Sequence, residues 1–357
     1  MLVWLNHRRL VFVVLLFLPT PPALACGPFF PNRMLIDGDN VVLSAPIVSF
    51  EQEIEYIRPP VPSRFKAIIP SAEDEYGHLS EDRHQTSLEG KPQRYFSPDR
   101  YRQQTAVKDM ADLEQALSVL TLSDAQRNDI LDRYCIIRQA LLDYGVVLSR
   151  WKAQTEWERT TKRLVSDTHL TEAVPPPQFE SPVIPRQLPA EFADYLRGAI
   201  FYYQRQPAKA RQAWVSLLKR PRQQRLYRST WVAFMIGKIL LEEDPAGATK
   251  WFQLVRELAG EGFVDSLGLA SSSLGWEARA ALNTEDYGQA IELYVAQMAT
   301  GDPTARASLS YTARKAFGME RRVLVQLAGN TTTRRVMTAI SFSQRVSEEI
   351  RIFLARL

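Results

Sequence analysis

The chain has 357 residues, of which 45% are hydrophobic and 24% charged, and its formal net charge is +4. That composition excludes a chain dominated by disorder and supplies enough apolar material for one large core or two smaller ones. Arg8 and Arg9 fall in a segment expected to be removed, which leaves 42 basic against 40 acidic residues. So even a balance gives no electrostatic ground for a nucleic-acid partner, and none is expected.

In chain order, His7-Arg8-Arg9 is followed by an unbroken apolar run from Leu10 to Leu18 and then by Ala23-Leu24-Ala25. Basic, apolar and small-residue segments in that order are the pattern of an export signal over residues 1–25. The apolar run is far shorter than the roughly 20 residues a membrane-spanning helix needs, so cleavage before Cys26 is expected. The mature chain is then periplasmic, extracellular or lipid-anchored. Cys26 is read as disulfide-bonded, free or lipidated. It can pair with Cys135, the one other cysteine, in an oxidising compartment. Alternatively, Cys26-Gly27 resembles the lipidated cysteine of bacterial lipoproteins, and membrane attachment is expected only in that case.

Residues 26–105 read as an irregular segment. Val41–Phe50 is apolar but broken by Pro46, which suits a short extended stretch at an edge. From Ser71 to Gln103 the chain is polar, with Glu73-Asp74-Glu75 and Glu81-Asp82, as in an exposed loop. His78, Glu81 and His84 lie in that loop at a spacing that matches no helical ligand pair, so no metal and no cofactor are expected. Residues 106–160 predict a helical hairpin. Met110, Leu113, Leu117 and Leu120 mark its first helix, Ser123 and Gln126 form a capping box, and Ile130, Tyr134, Ile137, Leu141 and Leu148 mark the second. Residues 161–189, with Pro175, Pro176, Pro177, Pro182, Pro185 and Pro189, predict a stiff linker.

Residues 190–300 repeat weakly. Gly198 is followed by Ala210 and Trp214, Gly237 by Ala248 and Phe252, and Ala278 by Ala290 and Tyr294. A small residue on one helix lets the next approach closely, and the aromatic is expected to fill the groove between neighbouring units. Helix pairs of this kind bury their apolar faces by stacking. The pattern resembles the tetratricopeptide repeat family. That resemblance implies a mainly α fold, an α-solenoid of helical hairpins with a groove that binds peptides or proteins. Asp194 and Arg197 stand where the family prefers apolar residues, as in a unit that caps a stack. Residues 301–357 continue in helices, first over Ala305–Phe317 and then along an apolar side made by Val336, Ile340, Val346, Ile350, Phe353 and Leu357.

No nucleophile elbow, phosphate-cradling loop or dinucleotide fingerprint is present in the sequence, and catalytic residues are not assigned. Gly260-Glu261-Gly262 reads as a turn between helices. The basic run Lys219, Arg220, Arg222, Arg225 and Arg228 reads as a connection between units whose cations offset helix C-terminal dipoles, with an anionic partner as the competing reading. The function expected from the resemblance is an exported cell-envelope interaction module, not an enzyme, that binds a protein partner through Tyr195, Tyr202, Lys238 and Arg279. The alternative is an enzyme or enzyme subunit acting on a cell-envelope polymer.

Overall fold

The computed structural model describes Ile54, Ile57 and residues 64–67, 98–165 and 175–343. The export signal, Cys26, the 41–50 stretch, the His78–His84 cluster and the C-terminal positions from Val346 onward lie outside the described residues. Among the described residues there are eleven α-helices and no strand, so the fold is mainly α.

The first hairpin is α1 (Pro98–Ser118) and α2 (Asp124–Val165). The capping box closes as expected: the Ser123 N–H donates to Gln126 Oε1 at 2.9 Å and the Gln126 N–H returns to Ser123 Oγ at 3.3 Å. Both helices outrun the apolar pattern. α1 starts at Pro98, inside the stretch read as a polar loop, because proline suits a first helical turn whatever the polarity that follows. α2 continues to Val165, into the expected linker.

The proline-rich stretch that follows is held against the helices. Pro177 O accepts from Tyr144 Oη at 2.8 Å, Phe179 packs on Tyr144 and Tyr203, and Pro185 and Leu188 are buried. It leads into α3 (Ala190–Tyr203), α4 (Pro207–Leu218), a short 3₁₀ turn at Arg222–Gln224, α5 (Ser229–Leu240), α6 (Pro245–Gly260), α7 (Leu269–Asn283) and α8 (Tyr287–Met298). The Gly260-Glu261-Gly262 turn forms as read. Gly262 takes φ +87°, the left-handed region that glycine tolerates, and the Phe263 N–H returns to Leu258 O at 3.1 Å.

Along this series α3 packs on α4, α5 on α6, α6 on α7 and α7 on α8, and α8 packs on the next helix, Ala305–Phe317. α9 (Ala305–Phe317), α10 (Arg321–Gly329) and α11 (Thr331–Ser343) close the described chain, and α11 packs back on α8 and α9.

The small residues of the repeat lie where helices approach. A Cβ on Gly198 would sit 2.0 Å from Trp214 Nε1, and one on Gly237 would sit 2.7 Å from the Phe252 ring. Ala210, Ala248, Ala278 and Ala290 are fully buried. The aromatic therefore covers the glycine of its own helix pair. This corrects the expectation that it chiefly fills the space between pairs, although Phe252 also meets Trp276 of the next pair.

Two apolar cores result. The first runs continuously from Leu113 of α1 through α2–α6 to Ala280 of α7, so the hairpin and the later helices share one interior. The second joins Leu274 and Ala278 of α7 to α8–α11, and Ile54 and Ile57 belong to it. α7 is the wall between them.

Candidate functional site

The densest constellation of charged side chains is buried in the first core, around Arg228, whose side chain is 0% exposed. Its guanidinium is ion-paired with Asp109 and, at 2.8 Å, with Asp112, and it also donates to Asp109 O and Tyr227 O. Phe192 and Trp231 cover it at 4.1 and 4.4 Å from their ring centroids. Asp109 takes two further donors from α2, Tyr134 Oη at 2.7 Å and Arg138 Nε. Asp112 also accepts from Ser266 Oγ at 2.8 Å. Glu191 accepts the backbone N–H groups of Tyr227 and Arg228, both at 2.8 Å. Asp265 accepts the N–H groups of Leu269 and Ala270 and so caps α7. One node thus ties α1, α2, α3, the approach to α5 and the approach to α7 together.

Burial sets the protonation balance of this node. Loss of water pushes the Asp112, Glu191 and Asp265 carboxyls above their ordinary range, against the opposing pull of Arg228 on the first two. Burial works against the charge on Arg228 and Arg138 as well, but the Asp109 carboxylate overrides it and holds both guanidiniums above their ordinary values. Arg228 is closed off from solvent, while Tyr227, Asp265 and Ser266 at the edge of the node are half-buried. Paired, hydrogen-bonded charges there join the helices and their approaches.

The expected binding residues separate. Tyr195 is not on an open face: it is 4% exposed, its ring 5.5 Å from Trp231 and 6.4 Å from Trp214, while its carbonyl accepts from Trp214 Nε1. Tyr195 stands three residues before Gly198, as the fully buried Phe234 stands three before Gly237. Tyr202, Lys238 and Arg279 are half-buried and reach the surface. Lys238 and Arg279 each follow the small residue of their unit by one position and hold equivalent places. Lys238 Nζ lies 4.8 Å from the Trp276 ring centroid, and Arg279 approaches Glu242 at 3.6 Å.

The basic run is largely absorbed into the fold rather than presented as a patch. Arg220 pairs with Asp194 at 2.7 Å, and Asp194 also holds Arg197, which accounts for the two charged residues of α3 that lie outside the node. Arg222 donates to Glu261 O at 2.6 Å and lies with Arg225 over Phe263, each 4.5 Å from the centroid. Arg225 also reaches Arg220 O and Ser229 Oγ. Arg228 is the buried ion of the node, and of the five cations only Lys219 and Arg222 are exposed. Cys135 lies on the exposed side of α2 and has no disulfide partner among the described residues.

Sequence reasoning missed Asp109, Asp112, Arg138, Glu191 and Asp265. For Asp109 a signal was available. It stands four residues before Leu113 and eight before Leu117, on the same apolar stripe of α1, where an unpaired carboxylate would be costly and a distant cation is implied. No family model, no curated protein and no solved structure matches the chain.

Proposed function

We propose that this chain is an exported cell-envelope protein that acts as an interaction module, with residues 190–300 stacked as tetratricopeptide-like helix pairs that present one face to a protein partner. The observation that carries the reading is the recurrence of one contact, Trp214 over Gly198 and then Phe252 over Gly237, in successive helix pairs 39 residues apart. Equivalent contacts in equivalent pairs are what a stack of repeats requires, because each pair buries its apolar face only against its neighbours. The binding face is assigned to Tyr202, Lys238 and Arg279. Lys238 and Arg279 recur in register, and half-exposed aromatic and basic side chains are the usual anchors of protein contacts.

Crosslinked pull-down from envelope extracts tests the face, comparing the wild type with Lys238→Glu/Arg279→Glu. Partner capture is expected to fall at least tenfold while stability falls only by the loss of the Lys238–Trp276 and Arg279–Glu242 contacts, about 0.5–1 kcal/mol each. Full retention of every captured partner by the double variant would show that the face is wrongly placed.

A further inference from the structure

Charge is spread unevenly along the chain. Residues 303–357 hold ten Lys and Arg against three Asp and Glu, whereas the preceding 302 residues hold 34 against 37. Residues 303–343, which span α9–α11, carry seven of those ten cations and a single carboxylate, Glu320. Glu320 pairs with Arg322 at 2.9 Å, with both side chains largely in water. Among the described residues, Arg314, Arg334 and Arg335 make no ion pair at all. The contrast with the 219–228 run is direct, since there each arginine is tied to a carboxylate, a carbonyl or a ring.

On α9 and α10 these cations also share helix faces with exposed apolar side chains. On α9, Tyr311, Arg314 and Lys315 lie at spacings of three and four, and Tyr311 is 38% exposed. On α10, Arg322 and Val325 lie on the side opposite the buried Leu324, Leu327 and Ala328, and Val325 is 46% exposed. On α11, Arg334 and Arg335 are exposed beside the buried Val336 and Met337.

We propose that α9–α11 form a membrane-facing surface that docks on anionic lipid headgroups, independently of any lipid on Cys26 and of the partner-binding face. Unpaired cations supply the attraction to headgroup phosphates, and Tyr311 and Val325 supply short apolar contacts for the layer beneath. A soluble polyanion would use the charges and leave the apolar side chains idle, which favours a lipid surface over a nucleic acid.

Flotation of the full chain with phosphatidylglycerol/phosphatidylcholine vesicles, against vesicles of phosphatidylcholine alone, is the test. Reading the anionic-over-neutral preference cancels whatever the N-terminal apolar run contributes to both. The wild type is expected to prefer anionic vesicles and to lose the preference as salt shortens the reach of charge. Each cation near such a surface is worth about fivefold in partitioning. Arg314→Glu/Arg334→Glu/Arg335→Glu should therefore reduce the preference at least tenfold, the corresponding Lys variant should retain it, and Lys219→Glu should leave it unchanged. Gln at the three positions gives the same reading should the reversed protein melt early. A wild type with no anionic preference at low salt, a reversed variant that keeps it, or capture of a DNA duplex without capture of vesicles would each overturn the proposal.

Discussion

The two cores keep polar groups buried by different means. In the first, ions meet across long stretches of chain: Asp109 and Arg228 are 119 residues apart, and Asp112 and Ser266 are 154 apart. In the second, buried hydroxyls are satisfied close to home. Thr312, fully buried, donates to Ser308 O one turn back. A locally satisfied hydroxyl constrains its own helix and nothing else. Buried ions whose partners lie on other segments constrain how those segments meet, because every wrong arrangement strands a charge away from water. The first core is therefore specified partly by charge, and the second by shape and apolar area.

The sharpest way to break that contrast is Arg228→Met. It leaves Asp112 with only Ser266 and takes one of two guanidiniums from Asp109. Removing one partner of a buried ion pair costs about 3–5 kcal/mol. Thr312→Val in the second core removes one local hydrogen bond and should cost no more than about 1.5 kcal/mol. Urea unfolding of the two variants makes the comparison, and equal losses would mean that the node does not hold the first core together.

A smaller effect is expected where backbone approach, not charge, is at stake. Alanine in place of a helical glycine normally gains about 1 kcal/mol. At Gly198 the new methyl would meet the indole of Trp214 at 2.0 Å, and that indole is held by its bond to Tyr195 O. Overpacking of this kind costs about 1–3 kcal/mol, so Gly198→Ala should destabilise despite the propensity gain. Gly237→Ala, with 2.7 Å to the edge of the Phe252 ring, should cost less. Leu at Ala210 or Ala248, both fully buried, should cost about as much as Gly198→Ala. A higher melting temperature for Gly198→Ala would remove the close contact on which the repeat reading stands.

What the sequence discloses follows the same division between near and far. The capping box at Ser123 and Gln126, the helix over Ala305–Phe317 and the small-to-aromatic spacing are readable because each depends on residues within about one unit of chain. The burial of Tyr195 was readable too, by register with Phe234, but α3 carries aromatics on several sides and its outward face is hard to pick from one helix. The start of α1 at Pro98 was hidden because its first turns carry no apolar period. The Arg228 node was hidden for the opposite reason. Its members look like ordinary surface charges until the fold brings together residues more than a hundred positions apart.

The last difference is one of slope. Burial raises the Asp112, Glu191 and Asp265 carboxyls in the folded protein, all within the first core. A carboxyl whose folded value lies above its unfolded one contributes stability that is fully present below the unfolded value, about 4, and is lost as pH rises through the folded one. These three groups should therefore make the first core firmer as pH falls from neutral toward about 4, against the usual trend of paired surface carboxylates. In the second core the raised group is Tyr294, pushed up to about 12 by burial, so its stability is lost only in strong alkali and adds no slope between pH 4 and 8. Asp112→Asn removes one proton-binding site, keeps an acceptor for Ser266, and should flatten the acid-side gain relative to wild type. Hydrogen exchange followed across that range reads the two cores separately, and the change should fall on amides of α1, α5 and the start of α7 while those of α9 and α11 stay level. A wild type and an Asp112→Asn variant with parallel pH profiles would show that the node keeps its charges fixed throughout.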